Sequence, residues 1–226
     1  NAKFEAQDGR VAAFQSSQVG QEVGVAATLA AALQAVTEGS AGSVPLVVAA
    51  TEPEVTTAEA NELGIGEIIG VGRSNFAGSP KNRRHNIKVG ADRLNGVLVQ
   101  AGEEFSLIKT LGEIDASNGY LEELVIKGSK TIPEFGGGLC QIGTTTFRAA
   151  LGSGLPILER RNHSYRVVYY EPAGTDATIY DPKPDFRFKN DTGNVMLIQT
   201  KIEGDNLVFE FWGTKDGRKV EQTKPR

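Results

Sequence analysis

Apolar and polar positions change their spacing along the chain, and the changes predict its elements. Val25, Leu29, Leu33 and Val36 recur at helical spacing, and Gly39 stands where such a helix would stop. Val44–Ala50 predicts a buried strand. Thr56 and Glu59 have the spacing of a capping box, which predicts a short helix ending at Gly64. Together these pieces predict a small α+β module over residues 1–62. None of its residues is of a type and pattern that suggests chemistry.

From Gly66 the texture differs. Ile68, Ile69 and Val71 predict a strand, and Ser79-Pro80 predicts a helix start. Ile87, Ala91 and Leu94 continue one apolar helical face, which Gly96 closes. Short strands are expected near Val97–Gln100. Past the Gly136-Gly137-Gly138 run, Cys140, Thr144, Phe147 and Leu151 share a helical face, and Gly152-Ser153-Gly154 ends that helix. The remainder predicts antiparallel strands at Tyr165–Tyr170, Ala177–Tyr180, Phe186–Lys189, Val195–Thr200 and Leu207–Trp212. Residues 203–206 make a hairpin turn. Leu207, Phe209 and Phe211 alternate with Val208 and Glu210, the pattern of a half-buried strand. The expected fold is α+β, a mixed or antiparallel sheet packed against a Cys-bearing helix over 63–226, preceded by the small α+β module.

Bulk properties narrow the function classes. The chain has 226 residues, 39% hydrophobic and 23% charged, which supplies a globular core for one large domain or a domain and a smaller one. The net charge of −4 gives general nucleic-acid binding no electrostatic support. The basic run Lys81–Arg84 is short and reads as a solvated helix start. No apolar stretch approaches the roughly 20 residues that span a bilayer. The chain opens at Asn1 without a basic-then-apolar leader and reads as a fragment of a longer precursor, with any signal or membrane anchor outside it. The polar end, Lys219–Arg226, reads as a linker.

There is one cysteine and there are two histidines. An internal disulfide is impossible, and a structural zinc site has too few ligands. No metal or cofactor is expected. A lone cysteine is most often an inert buried residue. Here it follows three glycines and a leucine at a predicted helix start. The glycines permit positive φ and close approach of the backbone. Unpaired N–H groups at a helix start favour negative charge, so a thiol there has its thiolate stabilised. The same N–H groups suit an oxyanion formed during acyl transfer.

A nucleophilic cysteine needs a base. His85 lies among Arg83, Arg84 and Asn86 on another helix and reads as a surface residue. His163, 23 residues after Cys140 and at the entry to a predicted strand, remains by elimination and by position. A third residue would orient the imidazole. Asp176, Asp181 and Asp185 all follow in the next strands.

Gly136-Gly137-Gly138-Leu139-Cys140-Gln141-Ile142-Gly143-Thr144-Thr145 resembles the central motif of the VanW family. Further matching stretches keep their order: Arg83, Asn86-Ile87, Asn95-Gly96, Gly102–Ser106, Gly119-Tyr120, Glu159-Arg160, His163-Ser164, Gly174, Asp176–Thr178, Phe188, Asn190 and Thr192. The resemblance covers roughly residues 66 to 213, and residues 1–62 are similar to the tail of a peptidoglycan-binding-like module. Gly143 stands where a Ser is usual, and Ala101 where a Pro is common. Asp176 fits the family pattern and Asp181 departs from it, so the resemblance selects Asp176 as the third member, with Asp181 in reserve.

The resemblance implies a peptidoglycan L,D-transpeptidase that forms 3-3 cross-links through a Cys140 acyl-enzyme, with His163 as base and then acid. It makes Gly137, Gly138 and Gln141 candidates for oxyanion support. Arg160 becomes a candidate for a stem-peptide carboxylate, and Glu159 for setting the following turn. The implied partners are peptidoglycan stem peptides, at the extracellular face of the envelope of a Gram-positive-type bacterium. The alternative is a non-catalytic wall-binding module, or an accessory glycopeptide-resistance protein, in which Cys140 merely packs. Thiol redox work ranks below both, because no second cysteine is present to resolve a disulfide.

Overall fold

The computed structural model describes residues 3–7, 10–15, 19–39, 42–51, 63, 65–127 and 130–223. In chain order it begins with an antiparallel hairpin, β1 (Lys3–Gln7) and β2 (Arg10–Gln15). Next come β3 (Gly20–Val23), helix α1 (Val25–Thr37) and β4 (Val48–Thr51), with β3 and β4 paired antiparallel. Helix α1 forms where the apolar spacing predicts it. The predicted strand at Val44–Ala50 shrinks to β4 and is exposed rather than buried. Among the described residues β4 pairs only with β3, and all four of its residues are exposed. Apart from Leu63, the predicted helix between Thr56 and Gly64 lies outside the described residues.

The larger part of the chain follows. Strand β5 (Glu67–Asn75) leads to helix α2 (Lys81–Leu94). Short strands β6 (Val97–Val99) and β7 (Glu104–Ser106), helix α3 (Leu107–Leu111), and the hairpin β8 (Glu122–Lys127) with β9 (Lys130–Phe135) come next. Helix α4 (Cys140–Gly152) precedes β10 (Ile157–Glu159), β11 (Arg187–Lys189), β12 (Met196–Glu203) and β13 (Asn206–Gly213). No described helix is long and apolar enough to cross a membrane.

The central feature is a four-stranded antiparallel sheet ordered β5-β13-β12-β6. Helix α4 lies against its β5–β13 half. Two glycines let it come that close. A Cβ on Gly72 would sit 2.0 Å from the Thr145 carbonyl oxygen, and one on Gly70 2.7 Å from that of Ala149. In register, Gly72 faces Phe209 and Gly70 faces Phe211, so bulky rings on β13 stand beside bare backbone on β5. Phe211 continues into the rings of Phe188, Phe186, Phe105 and Phe147, which tie the small sheet β10-β11-β7 to the same core.

Strand β13 is buried on both faces and not on one. Phe4, Ile65 and Leu197 form a second apolar cluster, with Trp212 and Leu98 packed against it. The alternation in the sequence is real, but both of its phases are covered. Glu210 survives there by accepting hydrogen bonds from Lys201 Nζ at 3.0 Å and Trp212 Nε1 at 3.1 Å.

Two predicted strands are replaced by other structure. Residues 165–170 form no strand, and a 3-10 turn spans Val168–Tyr170. Arg148 Nη2 donates to the carbonyls of Tyr170 and Glu171 at 2.8 and 2.9 Å, taking acceptors a neighbouring strand would use. Ala177–Tyr180 makes only a single bridge, Thr178 with Arg161, because its backbone docks instead on α4.

Candidate active site

Helix α4 starts at Cys140 with no side-chain cap and no acidic residue in its first turn. The positive end of the helix is therefore offset by nothing in its own sequence, and it favours an anion there. The three glycines shape the approach. Gly136 and Gly138 have φ of 78° and 113°, left-handed conformations that suit glycine. A Cβ on Gly138 would lie 2.8 Å from Arg83 Cγ, and one on Gly137 2.8 Å from the Glu123 backbone. The loop is thus wedged between α2 and β8. Gly137 is buried and its carbonyl accepts a hydrogen bond from Asn86 Nδ2 at 3.0 Å, while Gly138 is half-buried.

Cys140 is half-buried. Its Sγ lies 3.4 Å from Thr178 Oγ1 and, as a thiol, donates to the Ile179 carbonyl at 3.6 Å. Burial pushes the Cys140 thiol up. A hydrogen bond and charge from His163 oppose it, with further hydrogen bonds from Thr178 and the Ile179 backbone, and the balance falls below the ordinary thiol value.

His163 sits in the loop after Arg161 rather than at a strand entry. Its Nδ1 is 2.6 Å from Asp176 Oδ2, and its backbone N–H donates to the same oxygen at 2.8 Å. One carboxylate oxygen therefore holds both the ring and the chain that carries it. The imidazole stacks on Tyr170, with ring centroids 4.6 Å apart. Burial pushes the His163 imidazole down, but the Cys140 sulfur and the Asp176 carboxylate outweigh it and hold it above the ordinary value. Asp176 is disfavoured as a carboxylate by burial, yet the His163 backbone and ring bring it below the ordinary range. Each member of the row makes the charged form of its neighbour easier to keep.

The other carboxylates are elsewhere. Asp181 is exposed. Asp185 accepts from Ser106 Oγ at 2.6 Å and the Ile108 N–H at 3.0 Å, which anchors the chain at the start of α3. Glu159 accepts from the Asp185 N–H at 3.0 Å, so its carboxylate ties down a segment 26 residues on rather than the turn that directly follows it. His85 is exposed, its Nε2 2.8 Å from the Gly119 carbonyl oxygen.

Gln141 and Arg160 are occupied by the protein itself. Gln141 is fully buried. Its Nε2 donates to Ser74 Oγ at 2.7 Å and to the Asn75 carbonyl at 3.2 Å, and its Oε1 accepts from Arg83 Nη2 at 2.7 Å. The amide has no hydrogen left for an oxyanion. Arg160 Nε donates to the Asp176 carbonyl at 2.7 Å and Nη2 to Asp176 Oδ1 at 3.3 Å, above the ring of Phe147. It braces Asp176 instead of reaching outward.

Sequence reasoning assigned no role to Arg83, Tyr170 and Thr178, although Arg83 and Thr178 stand in stretches that match the family. Arg83 was read as part of a solvated basic run but is only 8% exposed. It donates to Ser79 Oγ, to Gln141 and to Tyr170 Oη, and its guanidinium covers the Tyr169 ring. A signal existed: Arg83 stands four residues before Ile87, on the apolar stripe that continues through Ala91 and Leu94. Tyr170 lay in a segment read as a strand, which hid its stacking role. Among the described residues no group of His, Cys, Asp and Glu side chains is arranged to hold a metal ion.

A sulfur at a helix start, a buried imidazole and a carboxylate behind it form an arrangement suited to nucleophilic attack on a carbonyl followed by proton return. A family model described as "VanW like protein" matches residues 82–212. The uncharacterized protein YoaR of Bacillus subtilis is 34% identical over 139 residues, 62% of this chain and 46% of its own length. The Vancomycin B-type resistance protein VanW of Enterococcus faecalis is 29% identical over 140 residues, 60% of this chain and 50% of its own length. The chain thus spans about half the length of these relatives. No solved structure matches.

Proposed function

The chain belongs to the VanW family, and from that premise we propose that it is a cysteine-dependent L,D-transpeptidase acting on peptidoglycan stem peptides at the extracellular face of the cell envelope. The observation that carries this reading is the row Cys140, His163, Asp176 at the uncapped start of α4. A relative named for vancomycin resistance supports a cell-wall-related role.

In the proposed reaction the Cys140 thiolate attacks the carbonyl carbon after the third residue of a donor stem, forming a C–S bond and an oxyanion. The oxyanion collapses, the C–N bond to the terminal D-residue breaks, and the His163 imidazolium gives its proton to the departing amine. A thioester remains. An acceptor amine then attacks it, neutral His163 takes the proton, and the thiolate leaves as the 3-3 amide forms. Backbone N–H groups at the start of α4 are the candidate oxyanion donors, because the Gln141 side chain is already engaged. Asp176 keeps the ring oriented and steadies its charge.

The test is incubation of the protein with disaccharide tetrapeptides and mass analysis of the products. Released terminal D-residue, 3-3 dimers and a thioester adduct on Cys140 are expected, all lost in Cys140→Ala. Cross-linking that survives in Cys140→Ala would sink the assignment. Binding of wall fragments with no thioester in the wild type would favour a wall-binding module.

A further inference from the structure

The segment 176–179 touches the row twice. Asp176 reaches His163, and two residues later Thr178 Oγ1 lies 3.4 Å from Cys140 Sγ. Between them Ala177 is pinned to α4 in both directions. Its N–H donates to Thr144 Oγ1 at 3.1 Å, and Thr144 Oγ1 donates to its carbonyl at 3.3 Å. Thr144 stands one helical turn beyond Cys140. Gly143 leaves the room this docking needs, since a Cβ there would lie 3.1 Å from the Ala177 oxygen and 3.3 Å from Ile179 Cγ2. The Thr178 N–H donates to the Arg161 carbonyl at 2.7 Å, so the strap is held by backbone on its other side as well. The Thr178 hydroxyl is used by none of these bonds.

We propose that Thr178 is a catalytic residue: its hydroxyl donates a hydrogen bond to the ionised Cys140 sulfur and so sets both the readiness and the direction of the nucleophile. This rests on the reading of Cys140 as a nucleophile. A hydroxyl donor favours the charged form of its acceptor, and its effect adds to that of the imidazole without needing a second charge. The ionisable groups around the sulfur are held by contacts that do not use this hydroxyl. They are His163 from the loop, Asp176 behind it, Tyr170 stacked on the ring, Arg83 of α2 bonded to Tyr170, and Arg148 of α4 holding the Tyr170 carbonyl. The strap is anchored through its own backbone groups, to the Thr144 hydroxyl on one side and the Arg161 carbonyl on the other, so Thr178→Val removes the Thr178 hydroxyl with little change of shape.

The experiment is the pH–rate profile of iodoacetamide alkylation of Cys140 in the full chain, for wild type, Thr178→Val, Thr178→Ala and Thr178→Ser. The Val and Ala variants should alkylate about tenfold more slowly near neutral pH, the size of one hydrogen bond to a charged group. Their profiles should shift to higher pH and meet or exceed the wild type at the alkaline end, because a less stabilised thiolate is the stronger nucleophile. Ser should stay within about twofold of wild type, since it keeps the donor. A merely structural role would lower the rate at every pH without the shift, and that result overturns the proposal. So does a wild-type profile in Val and Ala alike. A wild-type Cys140 that alkylates only as an ordinary or buried thiol overturns the nucleophile reading, and Thr178's role with it.

Discussion

Helices α1 and α4 are each 13 residues long; Gly24 directly precedes α1, and Leu139 alone separates the glycine run from α4. Their fates are opposite. Among the described residues α1 buries no side chain, and its apolar stripe of Val25, Leu29, Leu33 and Val36 is 58–77% exposed. Helix α4 buries nine residues, and Gln141, Thr144, Thr145 and Thr146 are among them. Hydrophobic spacing therefore says that each is a helix, and says nothing about which is central. The polar residues mark the difference. Four polar side chains are carried into the core only where each finds partners: Gln141 with Ser74 and Arg83, Thr145 with Ser74, Thr144 with Ala177 and Thr146 with the Ile142 carbonyl. That network is what holds the start of α4, and with it the sulfur, in one place.

The contrast can be broken at three points. The largest effect is expected behind the imidazole. Asp176→Asn should lower the proposed acyl transfer by about 10²-fold or more, as loss of an orienting carboxylate does elsewhere. Asp181→Asn, at an exposed side chain, should change it little. The Asp176 charge helps hold the His163 imidazole above its ordinary value, so the alkaline limb of the pH–rate profile should move to lower pH in Asp176→Asn. The sign for stability follows from the same raised value. Its contribution is fully present below the ordinary imidazole range and is lost as pH rises through the raised folded value. Denaturant midpoints across that range should lose this part of their slope in the variant. An unchanged limb would mean that Asp176 does not act through His163.

Next in size is the seating of α4 on the sheet. Gly72→Val places side-chain atoms where the Thr145 carbonyl lies, and should cost about 3 kcal/mol, the upper part of the range for overpacking. Gly42→Ala, with nothing within 4 Å of its new Cβ, should leave the denaturation midpoint unchanged. If the two behaved alike, α4 would not be seated on β5 by close backbone approach.

The third point compares the two helices directly, and the smallest change of all is expected on α1. Ile142→Ala, fully buried on α4, should destabilise by about 2–5 kcal/mol. Leu33→Ala, 59% exposed on α1, should stay within about 0.5 kcal/mol. A comparable loss at Leu33, read in the same urea titration, would show that α1's stripe is covered by something.

Much of this was legible before any coordinates. Helices α1, α2 and α4 follow from apolar spacing and their flanking glycines, and the β12–β13 hairpin from its turn. Cys140 was conspicuous as the lone thiol behind the glycine run. His163 followed by elimination. The choice of Asp176 over Asp181 came from family resemblance, since spacing in the chain left three aspartates open. Residues 165–170 and 177–180 misled because strand-like composition says nothing about whether a partner strand exists. In the structure Arg148 and Thr144 take up that backbone instead. Gln141 and Arg160 looked outward only because their partners stand far away in the sequence.

The sequence alone determined what a few neighbouring residues decide among themselves: where helices start and stop, where a turn falls, and that a thiol stands at an uncapped helix start. Helical spacing, capping and positive φ act within about four residues, so a linear reading captures them. Tertiary structure alone decided which side chains are buried and which groups meet. Arg83 reaches Gln141 across 58 residues, and Ser74 reaches Thr145 across 71. Such contacts exist only once α2, α4 and β5 have packed, because burial and hydrogen-bond partners belong to the assembled core and not to any segment of it.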